Sequence, residues 1–293
     1  MNVPVLEPLL ISYARHFPIR RGKLRLVEAL SPLTFGNRGR QRLAELTHGG
    51  FKVPCDLSEM LQRQLYFFGT YFIEENIIRC WQHAARQAAV VFDVGANAGI
   101  YSLAALAVQP DLAVHAFEPT PEIAARLRQT AALNGLQNLE VHEAAVYCEP
   151  GYVILNRYRG EFGSNEGMNF ITGASGSTDG EHVEAVCLDR FCHERGISRI
   201  DLLKLDIQGN EHSALMGAIG LLQSGRVGTI YSELNWAKDL AEFCSATESI
   251  HLLQRLGYLF AAPSMPLNWR EAGDWLRPLS DIVARPAKQH EST

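Results

Sequence analysis

The sequence predicts an α/β fold in which a mostly parallel sheet is flanked by helices. From about residue 88, short apolar runs alternate with longer helical patterns, which is typical of parallel strands joined by crossover helices. Residues 89–92 are continuously apolar, as expected of a strand that is buried on both faces. The segment from Asp93 through Gly95 to Gly99 follows at once, and its glycines predict a sharp turn between this strand and a helix.

The individual elements follow from the same signals, taken in chain order. Apolar runs predict seven strands, at residues 89–92, 113–117, 139–146, 182–187, 200–205, 229–234 and 258–261. Helical periodicity predicts crossover helices at residues 100–108, 121–134, 188–195, 210–223 and 248–256. Thr120-Pro121-Glu122 is a strong helix start, because it combines a hydroxyl cap, a first-turn proline and an acidic first turn.

The chain divides into three parts by these patterns. Residues 1–85 are predicted to form a mainly helical extension, which could cap the site of an acceptor substrate. Residues 86–284 are predicted to form the α/β domain, and residues 285–293 a polar, flexible tail. Residues 160–180 contain six glycines and predict a flexible stretch. This stretch is either a plain loop or a lid over a site.

Composition and charge exclude several classes of protein. The 293 residues are 47% hydrophobic and carry a net charge of -5, which excludes a disordered chain and a polyanion binder as a whole. Residues 1–52 are nevertheless basic, with nine Lys or Arg residues against three Glu. They form either a solvated helical face or a surface for phosphate, an anionic membrane or nucleic acid. No basic leader or long apolar run is present, so we expect a cytoplasmic protein without a membrane span.

The six cysteines do not predict a metal site. No CxxC pair occurs, and Cys187, Cys192 and His193 lack a second ligand pair. Asp206 and Asn210 could share a divalent ion, but two hard ligands are too few to predict one. The sequence therefore predicts thiols in a reducing cytosol and no metal centre.

The glycine turn and the acidic residues after it indicate the cofactor. Glu118 ends the second strand, where a carboxylate usually binds the hydroxyls of a ribose. Asn97 interrupts the NAD fingerprint, and no P-loop occurs. Asp93, Glu118 and Asp206 would repel a diphosphate but suit a sulfonium and an ammonium, so the residues predict S-adenosylmethionine. An NAD-dependent oxidoreductase is a weaker alternative.

Five segments together resemble the FkbM family of S-adenosylmethionine-dependent methyltransferases. They are Phe92-Asp-Val-Gly-Ala-Asn-Ala-Gly-Ile-Tyr101, Ala116-Phe-Glu-Pro119, Asn134-Gly135, Leu203-Lys-Leu-Asp-Ile-Gln-Gly-Asn-Glu211 and Tyr231-Ser-Glu-Leu234. The resemblance extends over residues 66–262. Gln208 stands where the family often has Glu, and Cys187 where it usually has Thr. The resemblance implies a Rossmann-like class I methyltransferase with a mostly parallel seven-stranded sheet.

The resemblance also implies roles for residues at matching positions. Gly95, Ala96 and Gly99 would line the methionine end of the cofactor, with Asp93 and Asn97 hydrogen-bonding there. Glu118 would hold the ribose, and Asp206 would lie near the transferable methyl. The adenine would be flanked by Glu143, Ala144 and Ala145.

The acceptor that the resemblance implies is a hydroxyl of a sugar, a glycan or a secondary metabolite. Proton removal from that hydroxyl needs a base, and four candidates remain open: Asp206, Glu211, Glu233 and His212. The Asn/Asp-Pro-Pro-aromatic motif of enzymes that methylate nucleic-acid bases is replaced by Asp206-Ile-Gln-Gly, so we do not expect DNA as a partner. An RNA-directed methyltransferase and a non-catalytic nucleotide-binding scaffold remain alternatives, and the chain could form a homo-oligomer.

Overall fold

The computed structural model describes residues 5–34, 40–160, 163–164, 168–172, 180–234, 246–276 and 279–287. The helices are α1 (Leu6–His16), α2 (Lys23–Leu30), α3 (Met60–Phe68), α4 (Glu75–Ala85), α5 (Ile100–Leu106), α6 (Pro121–Leu133), α7 (Leu188–Arg195), α8 (Glu211–Met216), α9 (Ile219–Gln223) and α10 (Ala246–Arg255). The strands are β1 (Gln41–Glu45), β2 (Lys52–Asp56), β3 (Val90–Val94), β4 (Ala113–Phe117), β5 (Leu139–His142), β6 (Ala145–Val146), β7 (Gly151–Asn156), β8 (Arg159–Gly160), β9 (Gly163–Ser164), β10 (Phe170–Thr172), β11 (Glu181–Val186), β12 (Ile200–Leu205), β13 (Val227–Glu233), β14 (Tyr258–Ala261) and β15 (Asp281–Pro286).

The central sheet has seven strands in the order β14-β15-β13-β12-β3-β4-β5. The five strands β13, β12, β3, β4 and β5 are parallel to one another, whereas β15 is antiparallel to both β13 and β14. This arrangement confirms the predicted α/β fold with a mostly parallel seven-stranded sheet. The carboxyl ends of β3, β4, β12 and β13 therefore meet at one edge, where open α/β sheets bind their ligands.

The membership of the central sheet differs from the sequence-based expectation at two strands. The predicted strand 182–187 corresponds to β11, which lies in a separate four-stranded sheet of order β10-β7-β11-β6. The predicted strand 139–146 is divided, because β5 pairs with β4 whereas β6 pairs with β11. The seventh place is taken by β15, a strand that the sequence did not predict.

The C-terminal segment was also expected to be a tail from residue 285. Arg285 and Pro286 instead pair with Leu259 and Tyr258, so they complete β15. Residues 288–293 lie outside the described part of the chain. The tail prediction is therefore wrong for the first two residues.

The core lies on both faces of the central sheet, as continuous apolar strands require. Val91 and Phe92 are adjacent in β3 and belong to two different buried clusters, one on each face. On the first face, Trp81 of α4 packs edge-on against Tyr101 and Tyr231, with ring centroids 5.6 and 5.2 Å apart. The last helix of the extension is thus part of the core of the α/β domain.

In its described residues, the N-terminal extension contains four α-helices, a short 3-10 helix and an antiparallel β1-β2 hairpin that the sequence did not predict. Several of its basic side chains are engaged within the chain. Arg15 donates to the main-chain oxygens of Glu45 and Tyr66, and Lys23 donates to the main-chain oxygen of Ala14. Two further residues form ion pairs, Arg20 with Glu75 and Arg42 with Glu7. The two ion pairs, with Glu75 and Glu7, reduce the positive charge that the extension could offer to RNA. No helix within the described ranges is long and apolar enough to cross a membrane.

Candidate active site

A cavity of about 240 Å³ opens at the carboxyl edge of the central sheet. Its wall is built from the glycine turn after β3, the end of β4, the start of β6 and the ends of β12 and β13. The predicted residues that line it are Gly95, Ala96, Asn97, Glu118, Ala144, Ala145, Asp206 and Glu233. The tertiary structure thus brings together residues that are up to 138 positions apart in the chain, between Gly95 and Glu233.

Other parts of the wall come from two segments whose individual residues the sequence did not assign to the site. The extension contributes Met60, Leu61, Tyr71 and Glu74, and the segment after β9 contributes residues 168–171. Tyr71 belongs to an aromatic run that extends from Tyr66 to Phe72. Its side chain is buried, yet its hydroxyl has no hydrogen-bond partner among the described residues.

The glycine turn is held between two neighbouring strands. The amides of Gly95 and Ala96 both donate to the main-chain oxygen of Phe117, at 3.0 Å each. Gly95 has φ +79°, and a Cβ at this position would lie 2.0 Å from the main-chain oxygen of Asp206. Only glycine fits here, because it adopts the left-handed backbone conformation without strain and has no Cβ to clash with the residue that follows β12.

Glu118 is buried against the same turn. One carboxylate oxygen accepts the Asn97 amide at 3.1 Å, and the other accepts the Thr120 amide at 2.8 Å. The carboxylate is therefore fixed at the cavity wall, and a carboxylate oxygen is an acceptor for ligand hydroxyls. Helix α6 begins at Pro121 as predicted, but the Thr120 hydroxyl makes no cap bond to it.

Asp206 and Glu233 form a bridged pair of acids at the ends of β12 and β13. The Gln208 amide nitrogen lies 3.0 Å from Glu233 Oε2 and 3.3 Å from Asp206 Oδ1. Gln208 has φ +53°, a conformation that non-glycine residues adopt rarely and that is often found at functional sites. Beneath the pair, Lys204 Nζ lies 3.2 Å from Asp206 Oδ2.

The two acids differ in protonation because their surroundings differ. Burial, and then the negative charge of Asp206, raise the pKa of Glu233 to about 9. Burial by itself would raise the pKa of Asp206 as well, but the attraction of Lys204 and the hydrogen bonds from Glu233, Lys204 and Gln208 together outweigh it, so this pKa lies below its usual range. At neutral pH, Asp206 is therefore ionised and Glu233 carries a proton.

Two further acids border this pair. Glu74 accepts a hydrogen bond of 2.7 Å from the Tyr101 hydroxyl, and burial raises the pKa of its carboxyl. Asp281 at the start of β15 also has a raised pKa, chiefly because it is buried. No lysine or arginine is among the described residues that line the cavity. The site is consequently acidic, with Lys204 as the balancing charge below it.

Three residues predicted for cofactor binding are turned away from the cavity. Asp93 is buried under the turn, where it accepts from the amide and hydroxyl of Ser102 at 3.0 and 2.6 Å. Gly99 allows close packing, since a Cβ there would lie 2.4 Å from Leu127 Cδ1. Glu143 points outward and pairs with Arg128 at 2.8 Å. Asp93 and Gly99 therefore stabilise the glycine turn and the helices packed on it, whereas Glu143 forms a surface ion pair.

Two candidate bases also lie outside the cavity wall. Glu211 accepts the amides of Ile207 and Gly209 at 3.0 and 3.3 Å, and burial raises its pKa to about 7. His212 Nδ1 is buried without a partner in the described part of the chain, and burial lowers its pKa. Asn210, considered for a metal, donates to the main-chain oxygen of Ile171 at 3.0 Å. This leaves Asp206 and Glu233 as the candidate bases at the cavity.

Replacing Glu233 with Gln is expected to change the pH dependence of stability. Between pH 4.5 and 9 the folded state holds a proton on Glu233 that the unfolded state has lost, so the wild-type protein loses stability as pH rises. Glu233→Gln removes this loss, and the variant should gain on the order of 5 kcal/mol relative to wild type on going from pH 5 to pH 9. Thermal unfolding at both pH values measures the difference, and exposed Glu184→Gln is the control. A gain that is equal at both pH values would contradict the assigned protonation.

This strand order, with the glycine turn and the acidic strand ends at one edge, defines the protein as a Rossmann-like class I methyltransferase. The sequence makes the assignment more specific. The family model described as the methyltransferase FkbM domain matches residues 93–260, which is more than half of the chain. The chain belongs to the FkbM methyltransferase family, and the dehydrogenase alternative is set aside.

Two named relatives come from Streptomyces tacrolimicus and Sinorhizobium fredii. The 31-O-demethyl-FK506 methyltransferase FkbM of Streptomyces tacrolimicus is 30% identical over 153 residues, which cover 44% of this chain and 58% of the relative. The 2-O-methyltransferase NoeI of Sinorhizobium fredii is 29% identical over 160 residues, which cover 49% of this chain and 62% of the relative. The matches thus span about three-fifths of each relative. The solved structure of the O-methyltransferase TomG from Streptomyces achromogenes is 12% identical, with 73% of this chain and 80% of that chain covered and a TM-score of 0.41.

Proposed function

We propose that this protein transfers a methyl group from S-adenosylmethionine to a hydroxyl of a sugar, a glycan or a secondary metabolite. The observation that carries the proposal is the position of Asp206 and Glu233, which are bridged by Gln208 on the wall of an acidic cavity. An alcohol needs a proton acceptor when it is methylated. Asp206 supplies that acceptor at neutral pH.

The residues of the cavity fit S-adenosylmethionine. Its sulfonium and ammonium groups are cationic, and the wall presents Glu74, Glu118, Asp206 and Glu233 without a lysine or arginine among its described residues. Glu118 is placed to accept from the ribose hydroxyls, and Ala144 and Ala145 leave room for a flat base. When bound, the cofactor supplies a methyl group on a cationic sulfur, which leaves as a neutral thioether.

Residues at the ends of β12 and β13 orient the acceptor hydroxyl and accept its proton. Asp206 accepts its hydrogen bond and orients the oxygen toward the methyl group. The oxygen becomes strongly acidic as its new bond to carbon forms, so a carboxylate with a lowered pKa is basic enough to take the proton. Gln208 bridges Asp206 and Glu233, and Lys204 holds Asp206 from below. One methyl group is gained by the acceptor, and one proton leaves through Asp206.

The acceptor side of the cavity would be formed by the extension. Tyr71 and Glu74 stand on the wall near Asp206, and the unpaired Tyr71 hydroxyl can bind an acceptor hydroxyl. Residues 1–85 would then cap the acceptor site, as the sequence suggested. The segment at 168–171 also lines the cavity, which supports a lid role for residues 160–180, although 161–162, 165–167 and 173–179 lie outside the described residues. The two relatives, which are both named for methylation at oxygen, favour an O-directed reaction.

Glu118→Gln is expected to weaken binding of S-adenosylhomocysteine by about 10- to 100-fold. The variant keeps the shape of the side chain but replaces one charged acceptor by an amide donor, so a charge-assisted bond to the ribose is lost. Titration calorimetry measures the change. Glu143→Gln is the matched control, because this outward carboxylate pairs with Arg128 and its loss should leave affinity unchanged. Equal affinities in wild type and Glu118→Gln would mean that the ribose is held elsewhere.

The reaction itself is tested with S-adenosylmethionine carrying an isotopically labelled methyl group. The protein is incubated with pools of glycans and secondary metabolites, and products heavier by one methyl group are isolated. Methyl ethers as products support the proposal, and Asp206→Asn should reduce their formation while S-adenosylhomocysteine still binds. Products methylated at nitrogen or carbon alone would refute the O-directed assignment.

A further inference from the structure

The outer edge of the central sheet carries a cluster of side chains that the methyl-transfer site does not use. His115 lies in β4, and Glu140 and His142 lie in the edge strand β5. His115 is directly opposite Glu140 in the parallel register, and His142 is two residues further along the same strand. Because side chains alternate across a strand, all three project from the same face of the sheet.

The potential ligand atoms of these residues lie close together. His115 Nδ1 is 3.1 Å from His142 Nε2 and 3.4 Å from Glu140 Oε2. One nitrogen or oxygen from each residue lies within 4.8 Å of the others, and within the described ranges no other group of three such side chains does so. Ligands about 2.0–2.2 Å from a tetrahedral zinc ion are roughly 3.3 Å apart, which matches the two short distances.

We propose that His115, Glu140 and His142 bind a divalent transition-metal ion, with Zn²⁺ as the best match. Two imidazole nitrogens and one carboxylate oxygen form a ligand set that suits zinc, and three protein ligands leave a fourth position for water. The site is distinct from the cavity at the strand ends and does not depend on the proposed reaction.

The surroundings of the cluster favour neutral imidazoles, the form that binds metals. Burial lowers the pKa of His115, and it lowers the pKa of His142 to about 4. Both imidazole side chains are 11% exposed, so a metal ion can reach their nitrogen lone pairs although the rings are largely shielded from water. Phe191 of α7 covers the rings, with centroids 5.7 Å from His115 and 4.9 Å from His142.

Arg195 is a nearby cation that could compete with a metal ion for Glu140. Its Nη1 donates to Glu140 Oε1 at 2.6 Å, while Glu140 Oε2 faces His115. The two oxygens can therefore serve different partners, as when a metal-binding carboxylate is oriented by a hydrogen bond to its second oxygen. Arg195 would then be a positioning residue for the site.

An ion at this place would tie β5 to β4 beside the cofactor turn. His142 stacks on Phe117 with centroids 4.7 Å apart, and the main-chain oxygen of Phe117 holds the Gly95 and Ala96 amides. The Glu118 amide donates to the main-chain oxygen of His142 at 3.0 Å. Metal binding would thus stabilise an edge strand that has one neighbour in the sheet.

The test uses the full chain without a polyhistidine tag, stripped of metal by a chelator. Titration with Zn²⁺ should show one site of micromolar or tighter affinity, and thermal unfolding should shift to higher temperature in proportion to occupancy. Cobalt(II) should give the intense visible absorption of a tetrahedral site. His142→Gln should weaken binding by at least about 100-fold, since loss of a second-shell partner alone costs 10- to 100-fold.

Two further variants keep the test decisive if His142→Gln fails to fold. Glu140 is half-exposed, so Glu140→Gln should fold normally and still lose at least about tenfold in zinc affinity. Exposed His193→Ala on α7 is the control and should bind zinc like wild type. Absence of saturable zinc binding, or binding that survives both Glu140→Gln and His142→Gln, would overturn the proposal.

Discussion

Gly95→Ala abolishes cofactor binding, or weakens it by at least about 100-fold, if the turn is built as described. The new Cβ would lie 2.0 Å from the main-chain oxygen of Asp206, an atom that cannot move without displacing β12. The left-handed φ of +79° adds a cost of about 1–2 kcal/mol for any residue with a side chain. Calorimetric titration with S-adenosylhomocysteine measures the loss, and circular dichroism shows whether the variant is folded.

Gly135→Ala separates the two causes. Gly135 has a similar φ of +65°, but a Cβ there would meet nothing within 4 Å. This variant should lose about 1–2 kcal/mol of stability and bind the cofactor like wild type. A Gly95→Ala protein that folds and keeps its affinity would show that the turn does not shape the cofactor site.

Lys204→Met is expected to destabilise the protein by about 3–5 kcal/mol. Lys204 is 2% exposed, and its charge is attracted by Asp206, Glu74, Asp281 and Glu233. These attractions outweigh the effect of burial, so the pKa of Lys204 lies above its usual range. Methionine fills a similar volume but leaves the ionised acids without their counter-charge, which is costly in a buried site. Chemical denaturation at pH 7.5 measures the loss.

The pH dependence of this loss identifies its electrostatic origin. Without Lys204 the acids hold protons in the folded state that they lose on unfolding, so the stability of the variant falls as pH rises. The destabilisation should therefore be smaller at pH 5 than at pH 8. Adding Asp206→Asn to Lys204→Met should restore part of the stability, because one uncompensated charge is removed. A loss that is the same at both pH values would indicate a packing defect.

The sequence by itself determined the features that depend on local patterns. The glycine turn, the buried strand before it and the acids at the strand ends could be identified because each signal lies within a few residues. Parallel strands place their carboxyl ends at one edge, so Gly95, Glu118, Asp206 and Glu233 could be assigned to one site before any distance was known.

The tertiary structure decided what depends on register and on distant partners. Antiparallel insertion of β15 places Asp281 beside β13, and packing of the extension brings Tyr71 and Glu74 to the cavity. The direction of a side chain follows from the face of its strand or helix, which is why Glu143 faces Arg128 and not the cavity. His115, Glu140 and His142 meet because the edge strand β5 pairs with β4 in one register, and a shift of one residue would separate them to opposite faces. Long-range pairing of this kind has no signal within a short stretch of sequence.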